Sequence, residues 1–169
     1  MKRLREWDRK ILFKIHGLQN PKLNRVFVLI TRLGDGCCIW IVIGILLLAI
    51  PSRRLQGFWM FVVIAICALI NNILIKSCFL RNRPCDTFSK EILIRRPIGS
   101  SFPSGHTATS FAGALYLCSI DYRFGIVAML LAGAISFSRM YLFVHYPSDV
   151  LFGIISGLGI TFVLLHFIL

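Results

Sequence analysis

Three stretches carry residue types and spacings that can do chemistry, and each interrupts or flanks a long apolar run. The first is Ser138-Arg139-Met140-Tyr141-Leu142-Phe143-Val144-His145-Tyr146-Pro147-Ser148-Asp149. It sets an arginine, a histidine and an aspartate between two apolar segments, where charged groups are costly and mark functional sites by default. His145 and Asp149 are four residues apart, with Pro147 between them. Proline disfavours helix for the residue before it, so the pattern predicts one helix ending near His145 and the next starting near Ser148. An imidazole oriented by a carboxylate is the core of many nucleophile and general-base devices.

The second stretch, Lys76-Ser77-Cys78-Phe79-Leu80-Arg81-Asn82-Arg83-Pro84, offers a point charge at Lys76 and a planar fork at Arg83. That is a complementary pair for a tetrahedral phosphate. The third, Phe102-Pro103-Ser104-Gly105-His106-Thr107, opens a helix with serine and glycine. Free backbone N–H groups there favour an anion, and His106 in the first turn can give it a proton. Each stretch alone also fits ordinary structure: a solvated turn, a basic flank at a helix end, a plain helix start. Together they supply what displacement at phosphorus needs. Cations neutralise the oxygens, backbone N–H groups fix them, one histidine can attack and another can protonate the leaving oxygen. No Cys/His or multi-carboxylate spacing suits a metal, so the charge must come from side chains and neither metal nor cofactor is expected.

The elements that must position these groups are membrane helices. Of 169 residues, 57% are apolar and only 15% charged, with the apolar residues in blocks. A soluble domain would bring about a quarter charged residues. Several runs approach the roughly 20 residues that a crossing needs. The expected fold is all-α, a polytopic bundle in a single domain over residues 1–169. Residues 1–33 read as an amphipathic, interfacial segment and residues 37–169 as the transmembrane core. Lys2, Arg3, Arg5, Arg9, Lys10 and Lys14 interleave with Leu4, Trp7, Ile11, Leu12, Phe13 and Ile15, the pattern of a helix lying on a membrane surface. His16 reads as an interfacial residue without chemistry, and Asp35, between two glycines, as a turn residue. Spans are predicted over about Cys37–Ile50, Phe58–Ile75, Gly105–Ile120, Phe124–Val144 and Asp149–Leu169. That makes five crossings, or six if residues 17–33 also cross. Gly153, Gly157 and Gly159 with Ser156 give the last span a small-residue face, and Asn71 with Asn72 reads as an interhelical hydrogen-bonding pair.

Alternation puts residues 76–104 and the 145–149 hinge on one side of the membrane. Arg53, Arg54 and Arg123 mark the other side as cytoplasmic, which turns the polar constellation outward. The net charge of +12 implies anionic partners, here a lipid phosphate or diphosphate and the bilayer itself. No nucleic-acid-binding motif is present. Cys67 and Cys118 read as core residues, and Cys78 and Cys85 can pair if their loop faces an oxidising side.

Lys76 with six residues before Arg83-Pro84, then Pro103-Ser104-Gly105-His106, then Ser138-Arg139 with His145 and Asp149, resembles the type-2 phosphatidic acid phosphatase superfamily. The resemblance implies that His145 attacks phosphorus to form a phosphohistidine, that Asp149 holds its ring and that His106 protonates the leaving group. It implies that Lys76, Arg83, Ser104, Gly105 and Arg139 bind the phosphoryl oxygens. Arg81 lies outside the motif and counts as a secondary cation, and Arg95 and Arg96 are candidates for a second phosphate. Among the substrates of such small members, undecaprenyl diphosphate fits best, hydrolysed at the outer face of the cell membrane. Phosphatidic acid, phosphatidylglycerophosphate and transfer to a lipid acceptor are the alternatives, with a non-enzymatic lipid transporter or sensor behind them.

Overall fold

The computed structural model describes residues 2–168, of which the chain is 80% helical, with no strand among the described residues. In chain order the helices are α1 (Lys2–His16), α2 (Pro21–Gly34), α3 (Cys38–Ala49) and α4 (Arg54–Ala68). A π-helical segment, Leu69–Ile75, and a last turn, Lys76–Cys78, prolong α4. There follow α5 (Pro84–Thr87), α6 (Gly105–Ile120), α7 (Tyr122–Tyr141) and α8 (Pro147–Ile168). Four helical stretches are long and apolar enough to cross a membrane: Pro21–Ala49, Pro51–Cys78, Tyr122–Tyr141 and Pro147–Ile168. With exposed side chains such as Leu130 and Phe162, each 72% accessible, they form a multi-pass membrane protein with an apolar rim.

Three expected boundaries shift, each for a local reason. The first crossing starts at Pro21 rather than Cys37, because Asn20 caps that helix by accepting from the N–H groups of Lys22 and Leu23. Gly34-Asp35-Gly36 reads as a terminator but is a kink, with Gly36 at φ 56° and Cys37 at φ 61°, after which the helix resumes. The helix before the hinge ends at Tyr141, short of His145. Phe143 turns left-handed (φ 61°), and the N–H groups of Val144 and His145 both donate to the Arg139 carbonyl, at 3.1 and 3.2 Å. α8 then begins at Pro147 itself, a residue suited to a first helical position.

The remaining long helix, α6, is the central one. It is too short and too rich in Gly, Ser and Thr to pass as an autonomous crossing, and its apolar residues need not face lipid because α4, α7 and α8 surround it. Ala108, Ala112, Ala114 and Tyr116 pack with Trp40, Met60, Val63 and Cys67 in the main core. Trp40 lies across Gly113, where a Cβ would come within 2.6 Å of its ring, and its Nε1–H donates to Ser110 Oγ at 3.3 Å. α1 caps the site end of the bundle: Leu12 packs on Phe143 and Tyr146, Ile15 on Tyr141 and Val144.

On α8, Gly153 and Gly157 form the small-residue face against α6, one turn apart, whereas Gly159 has open space around it. A methyl group at Gly157 would overlap the Ala108 carbonyl and crowd its carbon at 3.0 Å, and backbone cannot yield as a side-chain tip can. Gly157→Ala should therefore lower stability by about 1–3 kcal/mol, and Gly159→Ala by less than about 0.5 kcal/mol. Thermal unfolding in detergent compares the two directly.

Candidate active site

The site is a pocket of roughly 210 Å³ at the end of the bundle where the three polar stretches converge. Lys76, Arg83, Gly105, His106, Arg139 and His145 all line it. Lys76 arrives on the last turn of α4, Arg83 on the loop ahead of α5, Gly105 and His106 at the start of α6, Arg139 on the last turn of α7. Among the described residues, none of Lys76, Arg83 and Arg139 is ion-paired, so three cations surround a small space without a carboxylate to balance them. That arrangement attracts a multiply charged anion.

His145 is buried, and its two ring nitrogens have distinct surroundings. Nε2 lies 3.2 Å from Arg83 Nη1 on the pocket side, and Nδ1 lies 3.6 Å from Asp149 Oδ2. The second distance exceeds a hydrogen bond. With Nδ1 protonated toward the carboxylate, Nε2 carries its lone pair on the pocket side, where it accepts from Arg83 Nη1. Asp149 is itself anchored: Oδ2 accepts from Ser101 Oγ at 2.5 Å and from the Tyr146 N–H at 2.8 Å, and Oδ1 accepts from Arg81 at 2.6 Å. Nη1 and Nη2 of Arg83 also donate to the carbonyls of Val144, Ile98 and Ser100, which ties the loop to the hinge. Arg139 Nη1 donates to Thr31 Oγ1 at 2.5 Å. The Nε atoms of Arg83 and Arg139 are buried without a partner, which leaves donors for an anion's oxygens.

His106 Nε2 lies 2.8 Å from Asp35 Oδ1, so Asp35 is not merely a turn residue. The α2–α3 kink aims its carboxylate at the histidine, and Gly34, where a Cβ would come within 2.8 Å of the ring, makes room for it. Gly105 answers a similar need, since any side chain there would overlap Asn72, which also lines the pocket. Asn71 behaves as expected, accepting from Ser156 at 2.7 Å, but Asn72 belongs to the site.

Four expected positions stand elsewhere. Ser104 is buried outside the pocket lining, its hydroxyl paired with Thr107 Oγ1 at 2.9 Å and its N–H donating to the Asp149 carbonyl at 3.2 Å. Arg81 faces Asp149 and Asp8 rather than the pocket, because two carboxylates compete for it. Arg96 pairs with Asp86 at the surface, and Arg95 is exposed. Cys78 and Cys85 are both free thiols, the first exposed and the second buried.

Comparison with known proteins fits this architecture of helices around a cation-lined, two-histidine pocket. Residues 56–169 match the PAP2 superfamily, and the chain belongs to it. It is 29% identical over 154 residues to an undecaprenyl-diphosphatase of Sulfolobus acidocaldarius, covering 89% of this chain and 74% of the relative. It is 32% identical over 134 residues to a decaprenylphosphoryl-5-phosphoribose phosphatase of Mycobacterium tuberculosis, covering 76% of this chain and 71% of the relative. Its fold matches that of a transmembrane PAP2-type phosphatidylglycerolphosphate phosphatase from Bacillus subtilis with a TM-score of 0.81 and 26% identity, over 99% of this chain and 87% of that one. The protein is thus a lipid phosphatase of the PAP2 family.

Burial holds His145 neutral, pushing its pKa from 6.5 down to about 3 against the opposing pull of Asp149. The unfolded chain protonates this ring near pH 6.5 while the folded protein does not. Its contribution to stability is therefore complete above about pH 6.5 and is lost as pH falls toward 3. His145→Asn should flatten the fall in thermal stability between those limits relative to the parent protein.

Proposed function

We propose that the protein hydrolyses a polyprenyl diphosphate, undecaprenyl diphosphate foremost, to the monophosphate through a phosphohistidine on His145. The observation that carries this reading is the His145 ring itself, with Nε2 beside Arg83 in the pocket and Nδ1 toward Asp149. The Nε2 lone pair attacks the terminal phosphorus while Lys76, Arg83, Arg139 and the Gly105 N–H take the charge on its oxygens. The bond from phosphorus to the bridging oxygen breaks, and His106 gives that oxygen a proton. Water then attacks the phosphohistidine, His106 takes its proton back, and inorganic phosphate leaves with His145 restored. Because Asp35 holds His106 Nε2, Nδ1 is the ring atom free for the leaving oxygen. Ser104 supports this site by packing rather than by touching an oxygen.

Metal independence belongs to the proposal and is supported by the donor set. Among the described residues no three of His, Cys, Asp and Glu are grouped as metal ligands would be. The diphosphate is favoured by the name of the archaeal relative, an undecaprenyl-diphosphatase, and a polyprenyl carrier by the names of both the archaeal and the mycobacterial relatives. Five crossings are the matching topology, with α6 as the fifth and α1 lying along the outer leaflet of the cell membrane. Two observations support that arrangement: α1 packs on the site end of the bundle, and Arg53, Arg54 and Arg123 lie at the other end, at the start of α4 and in the first turn of α7.

Phosphate release by the purified protein, with chelator present, tests the reading on undecaprenyl diphosphate and phosphatidic acid. Release should be faster from the diphosphate and absent in His145→Ala. Undiminished release in His145→Ala would sink the phosphohistidine; preference for phosphatidic acid would keep the mechanism and reassign the substrate. Asp35→Asn should cut kcat at least about tenfold, part of the ~10²–10⁴ that general acid catalysis supplies. That loss should shrink on p-nitrophenyl phosphate, whose leaving group needs no proton.

A further inference from the structure

α1 is a basic helix with a buried aspartate, and that aspartate is not idle. Asp8 is fully buried, whereas Arg5, Arg9 and Lys10 beside it are exposed. Its Oδ1 accepts from the Ser148 N–H at 2.8 Å, and its Oδ2 accepts from Ser148 Oγ and from Arg81 Nη2, both at 2.7 Å. The other arm of the same guanidinium, Nη1, donates to Asp149 Oδ1 at 2.6 Å and to Ser148 Oγ at 2.8 Å. The Tyr146 ring supports the guanidinium from one face, 4.1 Å from its carbon. One planar cation thus bridges a carboxylate on α1 and the carboxylate that faces His145.

We propose that Asp8 and Arg81 are positioning residues, a relay of two buried carboxylates joined by one half-buried cation, through which α1 sets the Asp149 carboxylate and so the ring of His145. The inference rests on the reading of His145 as nucleophile. Two features separate a relay from mere packing. Two buried carboxylates held by one cation are no better for stability than an apolar core of the same shape, so their presence wants a positional reason. Moreover, Arg81 takes Asp149 Oδ1 and leaves Oδ2 as the oxygen facing His145, with Ser101 and the Tyr146 N–H fixing that oxygen from the other side. Without Arg81 the carboxylate is held at Oδ2 alone, by Ser101 and the Tyr146 N–H, and loses the contact that sets Oδ1 and with it the plane of the group. A lysine at 81 keeps the charge but lacks the planar fork that holds the two carboxylates in one fixed geometry.

The test measures kcat and KM of full-length protein in detergent micelles on undecaprenyl diphosphate and phosphatidic acid. Asp8→Asn and Arg81→Gln should each lower kcat ~10- to 100-fold, as a small misplacement of a reacting group does, with KM changed less than about twofold. The double variant should be no slower than the slower single one, since both cut the same link. Arg81→Lys should also be slow, and Arg5→Gln, on the exposed face of α1, should match the parent protein. Should the neutral variants fail to fold, Arg81→Lys, which keeps the charge, decides alone: a slow enzyme supports the relay and a parental kcat overturns it. Parental kcat in Asp8→Asn and Arg81→Lys beside an inactive His145→Ala overturns the relay and leaves the nucleophile standing. An active His145→Ala overturns both.

Discussion

A buried carboxylate must be satisfied, and the site end of this protein is built around satisfying one. Removing a charge from water costs several kcal/mol unless hydrogen bonds and an opposite charge replace the solvent. Asp149 is fully buried, and its two oxygens collect donors from the loop at Arg81, from Ser101 and from the hinge at Tyr146. Its main-chain carbonyl takes the Ser104 N–H as well, which fastens the start of α6 to the start of α8. Segments far apart in the chain meet because this one group needs all of them. His145 then inherits its place from a neighbour that cannot move.

The opposite problem holds across the pocket. Lys76, Arg83 and Arg139 are cations gathered without carboxylates, and most of their fixed hydrogen bonds run to backbone carbonyls or to Thr31. Hydroxyl and carbonyl dipoles compensate a buried cation less than an anion does, so the centre of the group is where an anion is most strongly favoured. Rigid helix ends hold three of the four sides, and Arg83 itself holds the loop that makes the fourth.

Much of this was legible from residue order because the relevant spacings are local. Lys76 to Arg83, Ser104 to His106 and Arg139 to Asp149 each fall within a turn or two of one junction, and six of the eight motif residues do line the pocket. What stayed hidden depends on partners distant in sequence. Asp35 meets His106 across 71 residues, and Asp8 meets Ser148 across 140. Neither carries a local signature; a carboxylate between two glycines looks like a turn, and an acid on a helix rich in cations looks like part of a solvated face. The misplaced helix end has another cause. Phe143 adopts a left-handed backbone, a conformation whose usual marker is glycine, so nothing at that position announced the stop at Tyr141. Arg81 was visible as a cation but not as the property of two carboxylates.

The pocket is small, roughly 210 Å³ against the ~300–1,000 Å³ of ordinary ligand sites. It admits a head group and has no room for a lipid tail. The tail must stay in the bilayer, where apolar side chains such as Leu130, Ile155 and Phe162 already face outward. On the proposed reading, recognition and solubilisation are thereby divided between protein and membrane: the cations read the phosphate, and the lipid phase merely delivers it at the right depth. Such a division makes the length and saturation of the hydrocarbon a matter of supply rather than of fit.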